Sequence, residues 1–196
     1  MKNSCFLRLG AISLSAALLT ACASGTYEPP AVPAVTTATI SALEPDGAIN
    51  RIVDGAAGLG FEVRDVDRQQ GVISLAFGQE RPRRYVDCGT YDGTTGQTSF
   101  SGNWINWVTT SRRAQLTGVM EVTVAPTDDG QSFVSVRAGY ALTLPASIAP
   151  GFAGADFAFA SDTTDTVDII HALEGGRPKR TCGPSGEAER QILDLV

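Results

Sequence analysis

The chain has 196 residues, of which 43% are hydrophobic and 18% charged, with 21 glycines and 10 prolines. This composition suits one loop-rich globular domain better than a helical bundle. The formal net charge is −6, and because phosphates repel an acidic chain, we expect no nucleic-acid partner.

The N-terminus has the pattern of an export signal. Lys2 and Arg8 are followed by an apolar run of 11 residues from Leu9 to Leu19. A membrane-spanning helix needs about 20 apolar residues, so the run is too short to span and is typical of a secretory signal. It ends in the tetrapeptide Leu19-Thr20-Ala21-Cys22.

That tetrapeptide resembles the lipobox of bacterial lipoproteins. The resemblance implies that residues 1–21 are removed, that Cys22 receives diacylglycerol, and that its new amino group is acylated, as by palmitate. Ala23 stands where an Asp favours retention in the inner membrane. The resemblance therefore implies an outer-membrane lipoprotein that faces the periplasm of a Gram-negative bacterium. The alternative is an ordinary signal followed by a cysteine by chance, while Cys5 lies in the part removed in either case.

The charge of the mature chain makes a covalent anchor necessary for membrane attachment. Without Lys2 and Arg8 the chain keeps 13 basic and 21 acidic residues, a net charge of −8. Such a chain is not attracted to anionic lipid. Each buried CH₂ contributes about 0.8 kcal/mol, so two or more acyl chains hold a protein firmly.

The two remaining cysteines, Cys88 and Cys182, predict a disulfide, because an even pair is expected in an oxidising compartment. A glycine follows each cysteine and allows a tight backbone there. Two buried thiols are the alternative. A metal site is not expected, since two distant cysteines and the single histidine, His171, supply too few ligands, and we expect no cofactor.

Along the mature chain, residues 22–44 are rich in proline, which predicts a lipidated, disordered tether. A domain over 45–196 follows. A helix begins at Pro45 with Asp46 as its N-cap and ends at Gly58 and Gly60. Strands are predicted over 61–66 and 72–77.

The second half of the domain predicts a long hairpin and a final helix. Residues 78–112 show no regular pattern. The hairpin comprises 114–125 and 132–144 around a turn at 127–131. A surface loop over 145–160, a strand over 165–173 and a helix opened by Gly183-Pro184-Ser185 complete the chain. We therefore predict an α+β fold, an antiparallel sheet of four to six strands with an N-terminal and a C-terminal helix packed on one face.

This order of lipobox, proline-rich tether, helix, antiparallel strands and final helix is similar to that of BamC-type lipoproteins. They are accessory subunits of the outer-membrane β-barrel assembly machinery and have helix-grip domains. The similarity covers residues 45–196 in layout and includes no diagnostic motif, and BamC carries two such domains where this chain has room for one. It implies a helix-grip fold and a role in the envelope.

One segment combines aromatic and basic residues in a pattern suited to binding. Tyr91, Phe100, Trp104 and Trp107 lie in a Gly- and Thr-rich stretch that Arg112 and Arg113 follow. Such residues are suited to an aromatic patch for a glycan or an envelope protein. The alternative is that the tryptophans cover the core, and His171 is expected to be structural.

Three classes of function remain open, one of them a purely structural surface protein, which would differ from a scaffold in that its deletion changes no other complex. The first is a binding or scaffolding lipoprotein in outer-membrane assembly or maintenance, and the absence of a catalytic motif favours it. The second is a periplasmic enzyme acting on cell-wall or glycan material, which requires two carboxyl groups about 5–10 Å apart beside the tryptophans.

Overall fold

The computed structural model describes residues 25–31, 35–78, 82–95, 98–111, 113–146, 154–167 and 180–196. The predicted signal, Cys22, Arg112 and His171 lie outside the described residues. The elements, in chain order, are β1 (Gly25–Glu28), β2 (Ala38–Ser41), α1 (Pro45–Leu59), β3 (Glu62–Asp67), β4 (Val72–Phe77), α2 (Pro82–Tyr85), β5 (Val86–Asp87), β6 (Thr90–Thr95), β7 (Thr98–Asn103), α3 (Trp104–Ser111), β8 (Gln115–Pro126), β9 (Ser132–Leu144), β10 (Ala155–Ala160), β11 (Asp165–Val167), β12 (Arg180–Pro184) and α4 (Glu187–Leu193).

The predicted α+β class is wrong, because the fold is mostly β with short helices. The strands form three antiparallel sheets. The large sheet has the order β10-β9-β8-β4-β3, and β2 joins it on β9. The two small sheets, β1-β6-β7 and β11-β12-β5, were not predicted. Their strands are short and polar and carry little hydrophobic alternation by which a sequence pattern could reveal them.

Alternation on β8 and β9 separates a buried from an exposed face of the large sheet. Leu116, Met120, Val122 and Val124 point into the core, while Val119 is 59% exposed. On β9 the even-numbered residues from Ser132 to Leu144 are buried. The predicted hairpin is confirmed within a residue or two at each end, and the pairing settles which face is inward.

Helices α1 and α4 lie against the buried face. Helix α1 buries Ala48, Ile49, Ile52 and Ala56, as an amphipathic helix should. The predicted N-cap is wrong: Glu44 occupies that position without a side-chain hydrogen bond, and Asp46 lies in the first turn. Gly60 ends the helix with φ of 89°.

The disordered tether predicted over 22–44 is in part folded. Within it, β1 pairs with β6 and β2 pairs with β9. The first strand thus begins three residues after Cys22. Both strands are held by backbone hydrogen bonds, which leave no mark in the amino-acid composition. The proline-rich composition of this segment therefore did not reveal them.

Three further segments differ from the sequence prediction. Residues 78–112 include the β6–β7 hairpin and α3, and β10 lies within the predicted loop over 145–160. Residues 183–184, predicted to open the last helix, belong to β12, and α4 begins at Glu187 after Gly186 with φ of 77°. Of the strand predicted over 165–173, β11 covers Asp165–Val167, and residues 168–173 lie outside the described part.

In the described part of the chain, the helices are too short or too polar for any of them to be a membrane span.

Candidate functional site

A disulfide lies where the small sheets meet. The sulfurs of Cys88 and Cys182 are 2.03 Å apart, and both residues are fully buried. The predicted pair is therefore confirmed. The bond joins the residue that follows β5 to the middle of β12, across 94 positions of sequence.

Asp87 shapes the backbone beside this disulfide. Its Oδ1 accepts hydrogen bonds from the Gly89 N–H at 2.9 Å and from Asn103 Nδ2 at 3.0 Å. Gly89 has φ of 74°, and a Cβ there would collide with the backbone of Glu28 and Pro29. A glycine is thus required where the chain passes from the disulfide into β6.

Tyr27 attaches β1 to the disulfide region. Its hydroxyl accepts a hydrogen bond from the Thr181 N–H at 2.9 Å and lies 3.0 Å from the carbonyl oxygens of both Thr181 and Cys88, to which it can donate. Tyr27 and Thr181 are 154 positions apart in the sequence. The strand is therefore held by side-chain contacts as well as by its pairing with β6.

The predicted aromatic residues come together on one face of the β1-β6-β7 sheet. Tyr27 and Tyr91 are directly opposed in register, as are Gly93 and Phe100. The Tyr91 ring lies edge-on to Trp104 at 5.5 Å between centroids, and Trp104 stacks on Trp107 at 4.5 Å. We call these five residues the aromatic cluster: Tyr27, Tyr91, Phe100, Trp104 and Trp107.

Burial divides the predicted binding patch. Tyr91 and Trp104 are only 3% and 4% exposed and belong to the core, whereas Phe100 and Trp107 are half-buried. Arg113 is exposed in a left-handed backbone conformation with φ of 53°. Sequence reasoning missed Tyr27, because nothing in a proline-rich segment marks it as a partner of residues 60 to 150 positions away.

A second candidate site is a cavity of about 400 Å³ at the end of α1. Its walls come from the last turn of α1, from β4 and from α2, with Glu62 and Arg84 as its charged residues. A Cβ on Gly58 or Gly60 would meet no atom within 4 Å, so these glycines leave the opening wide.

An ion-pair cluster borders this cavity. Arg84 donates to Glu187 Oε1 at 3.2 Å, and Arg190 donates to Glu187 Oε2 at 2.6 Å. Gln191 Nε2 also donates to Glu187. Burial acts to raise the pKa of Glu187, but the hydrogen bonds from Arg190, Gln191 and Arg84 outweigh it and hold that pKa below its ordinary value.

A buried acid lies near the middle of the core. Glu189 has no exposed surface, and the Tyr140 hydroxyl lies 2.8 Å from each of its carboxylate oxygens. Burial, and next the negative charge of Glu189, raise the pKa of Tyr140 far above its ordinary value. The tyrosine is thus held in its neutral, donating form.

The lining of the cavity holds one carboxylate, Glu62, and neither tryptophan. The paired carboxyls beside the tryptophans that the hydrolase hypothesis requires are therefore not found in this cavity. Within the ranges that the structure describes, no group of three or more His, Cys, Asp or Glu residues is placed to hold a metal ion.

Comparison with models of protein families, with curated proteins and with solved structures finds no match to this chain.

Proposed function

We propose that this chain is a lipid-anchored envelope lipoprotein, and that its domain is a binding or scaffolding module in outer-membrane assembly or maintenance. The observation that carries the proposal is the tetrapeptide Leu19-Thr20-Ala21-Cys22 at the end of an 11-residue apolar run with basic residues before it. Only a thiol at this position supports the acyl transfer that the lipobox implies.

The buried disulfide supports export from the cytoplasm. Disulfides persist in oxidising compartments and are rare in reducing ones. The Cys88–Cys182 bond is fully buried within the core. Together with the net charge of −8 after signal removal, it favours a periplasmic domain held at the membrane by hydrocarbon.

A binding role is favoured over catalysis by what the surface presents. Phe100 and Trp107 form the accessible part of the aromatic cluster, and the large sheet leaves Ile40, Val119 and Phe133 exposed. Ile40 and Phe133 are directly opposed in register on β2 and β9, and contiguous apolar side chains at a surface are typical of contacts with another macromolecule. The assignment to outer-membrane assembly or maintenance rests on the similarity of layout to BamC-type lipoproteins and on Ala23.

Replacement of the anchoring residue tests the first half of the proposal. The variant Cys22→Ala should remain in the soluble fraction of the periplasm or keep its signal, whereas Cys5→Ala, the matched control, should fractionate with membranes like the natural chain. Mass spectrometry should find diacylglycerol and an amide-linked acyl chain on Cys22. An unmodified Cys22 in membrane-associated protein would contradict the anchor.

Cross-linking in intact cells followed by affinity capture tests the second half. The lipidated protein should recover a defined envelope protein or glycan, and Trp107→Ala or Val119→Glu should reduce that recovery. Recovery of the protein alone, under conditions that preserve known envelope complexes, would contradict a scaffolding role.

A further inference from the structure

We propose that the domain lies directly on the membrane surface, with the end of the hairpin at which β6 ends and β7 begins against the lipid, and this inference rests on the proposed anchor at Cys22. The surface concerned comprises Gly25, residues 93–95 and residues 98–100, and we call it the hairpin end. The ligand it takes is the uncharged part of a phospholipid surface.

The short chain between Cys22 and β1 limits how far the domain can lie from the membrane. Three residue steps separate Cys22 from Gly25, the first residue of β1. At about 3.3–3.6 Å per residue these steps span at most about 11 Å in any conformation. The headgroup region is of similar depth, since each side of a bilayer adds about 5–8 Å to the hydrocarbon core. An acylated Cys22 would therefore hold β1 within reach of the headgroups.

The attachment of β1 prevents the anchor from acting as a long flexible linker. All four residues of β1 pair with β6, and the Tyr27 hydroxyl binds the backbone of Thr181. A side chain at Gly25 would collide with the Tyr91 ring, so the strand lies close against the aromatic cluster. Movement of the domain away from the lipid would require these contacts to break.

The register of the small sheet identifies the end that faces the lipid. Gly25 lies opposite Gly93, and Gly93 lies opposite Phe100, so the three form one row across the sheet. Phe100 is two strand spacings, about 10 Å, from Gly25. Because β1 and β6 are antiparallel, β6 runs beyond this row to Thr95, at the end where the anchor joins. Two further residues at about 3.3 Å each carry the hairpin about 7 Å past Gly25.

The chemistry of the hairpin end suits a lipid surface. From Gly93 to Ser111 the chain has no charged residue, although the mature chain is strongly acidic. The charged residues of the sheet, Glu28 and Asp92, lie below the row of Gly25. A negatively charged domain can thus approach anionic lipid through this end with little repulsion. Phe100 packs in part against the core, and the rest of its ring supplies apolar area of a kind found on membrane-facing surfaces.

Photo-cross-linking in vesicles tests the inference. The purified, lipidated full-length chain would be placed in phosphatidylcholine vesicles with p-benzoylphenylalanine at position 100 or, as a matched control, at position 119. Val119 lies on β8 of the large sheet and is 59% exposed, so a larger side chain there can extend into solvent. Position 100 should form an adduct with phospholipid at least several-fold more often than position 119. Equal yields, or cross-linking of position 100 to a second copy of the chain, would overturn the inference.

A linker insertion separates this inference from the anchor itself. A Gly/Ser segment of about 20 residues between Ser24 and Gly25 has a root-mean-square length of about 25 Å. The inserted chain should still fractionate with the vesicles and carry lipid on Cys22, but lose most of the adduct at position 100. Persistence of the adduct would show that the short connection does not place the domain. A chain without lipid on Cys22 would instead contradict the proposed function.

Because the hairpin end has no charged residue, its contact with lipid should not depend on ionic strength. The adduct yield at position 100 should be unchanged between about 0.1 M and about 1 M salt, where the Debye length falls from about 10 Å to about 3 Å. It should also be unchanged when phosphatidylglycerol is added. A loss of yield with salt would mean that electrostatic attraction holds this surface, contrary to the inference.

Discussion

The Tyr140 hydroxyl on β9 donates a hydrogen bond to the buried carboxylate of Glu189 in the first turn of α4, 49 positions along the chain. The contact ties the last helix to the centre of the large sheet. It also supplies the hydrogen-bond donor for a carboxylate that has no exposed surface.

Removal of the Tyr140 hydroxyl should destabilise the fold. In Tyr140→Phe the Glu189 carboxylate would lose this donor while still buried, which costs about 1–3 kcal/mol. Urea unfolding should show that loss. The double variant Tyr140→Phe/Glu189→Leu should recover part of it, because it removes both polar partners together. If the single variant were as stable as the natural chain, water or another donor would have to serve Glu189.

The stability of the fold should fall at alkaline pH because of Tyr140. Its pKa is raised in the folded state, with burial as the main cause and the charge of Glu189 next. The folded state therefore keeps a proton that the unfolded state releases near pH 10, so this contribution is complete below about pH 10 and lost above it. The slope of unfolding free energy against pH above 10 should be smaller in Tyr140→Phe than in the natural chain. Identical slopes would contradict the assignment.

The disulfide should contribute strongly to stability. It closes a loop across 94 positions, for which the chain-entropy model gives about 4–5 kcal/mol. The variant Cys88→Ala/Cys182→Ala should unfold at a correspondingly lower urea concentration. A reducing agent should lower the midpoint of the natural chain and leave that of the double variant unchanged; a shift in both would indicate another effect of the reductant.

Loss of the Tyr27 hydroxyl should loosen β1 locally. In Tyr27→Phe the hydrogen bond from the Thr181 N–H to the hydroxyl would be lost, a cost of about 0.5–1.5 kcal/mol. Hydrogen exchange should accelerate in Gly25–Glu28 and around Thr181 more than in β8 and β9. Thr26→Ala is the control, since Thr26 is exposed on the other face of β1, and its exchange should match the natural chain.

Glu187 should stabilise α4 at neutral but not at acidic pH. Arg190, Gln191 and Arg84 together outweigh burial and lower its pKa from 4.5. A lowered folded pKa gives stability that is present above the unfolded value and lost as pH falls through the folded one. The difference in unfolding free energy between the natural chain and Glu187→Gln should therefore be greatest above pH 4.5 and shrink below it. Glu62→Gln, a change in a mostly exposed ion pair, should show a much smaller difference.

Several elements could be predicted because the spacing of their hydrophobic residues follows the period of a helix or a strand. The spacing of Ile49, Ile52 and Ala56 indicates α1, and the alternation of Ile73, Leu75 and Phe77 indicates β4. The disulfide followed from an even number of cysteines. The inward face of β8 could not be predicted, because Val119 is as hydrophobic as the Met120 beside it. Only the pairing of β8 with β4 and β9 shows which of these two side chains points into the core.

The candidate site could be predicted only in part. The aromatic residues stand out in a stretch of Gly, Thr and Ser, and the structure brings them together. Sequence alone did not show that Tyr91 and Trp104 are buried while Phe100 and Trp107 are half-exposed. Exposure depends on what covers a ring, and here α3 and β1 do so from separate parts of the chain.

The amino-acid sequence by itself determined the main helix, the long hairpin and the cysteine pair, because helical spacing, strand alternation and residue type act over a few neighbouring positions. Only the tertiary structure decided that a proline-rich segment supplies β1 and β2, and that two small sheets meet at the disulfide. The reason is that those strands are joined by backbone hydrogen bonds between distant segments, and any sequence has the N–H and C=O groups to form them. Which segments pair is selected by where the core, the disulfide and Tyr27 hold them.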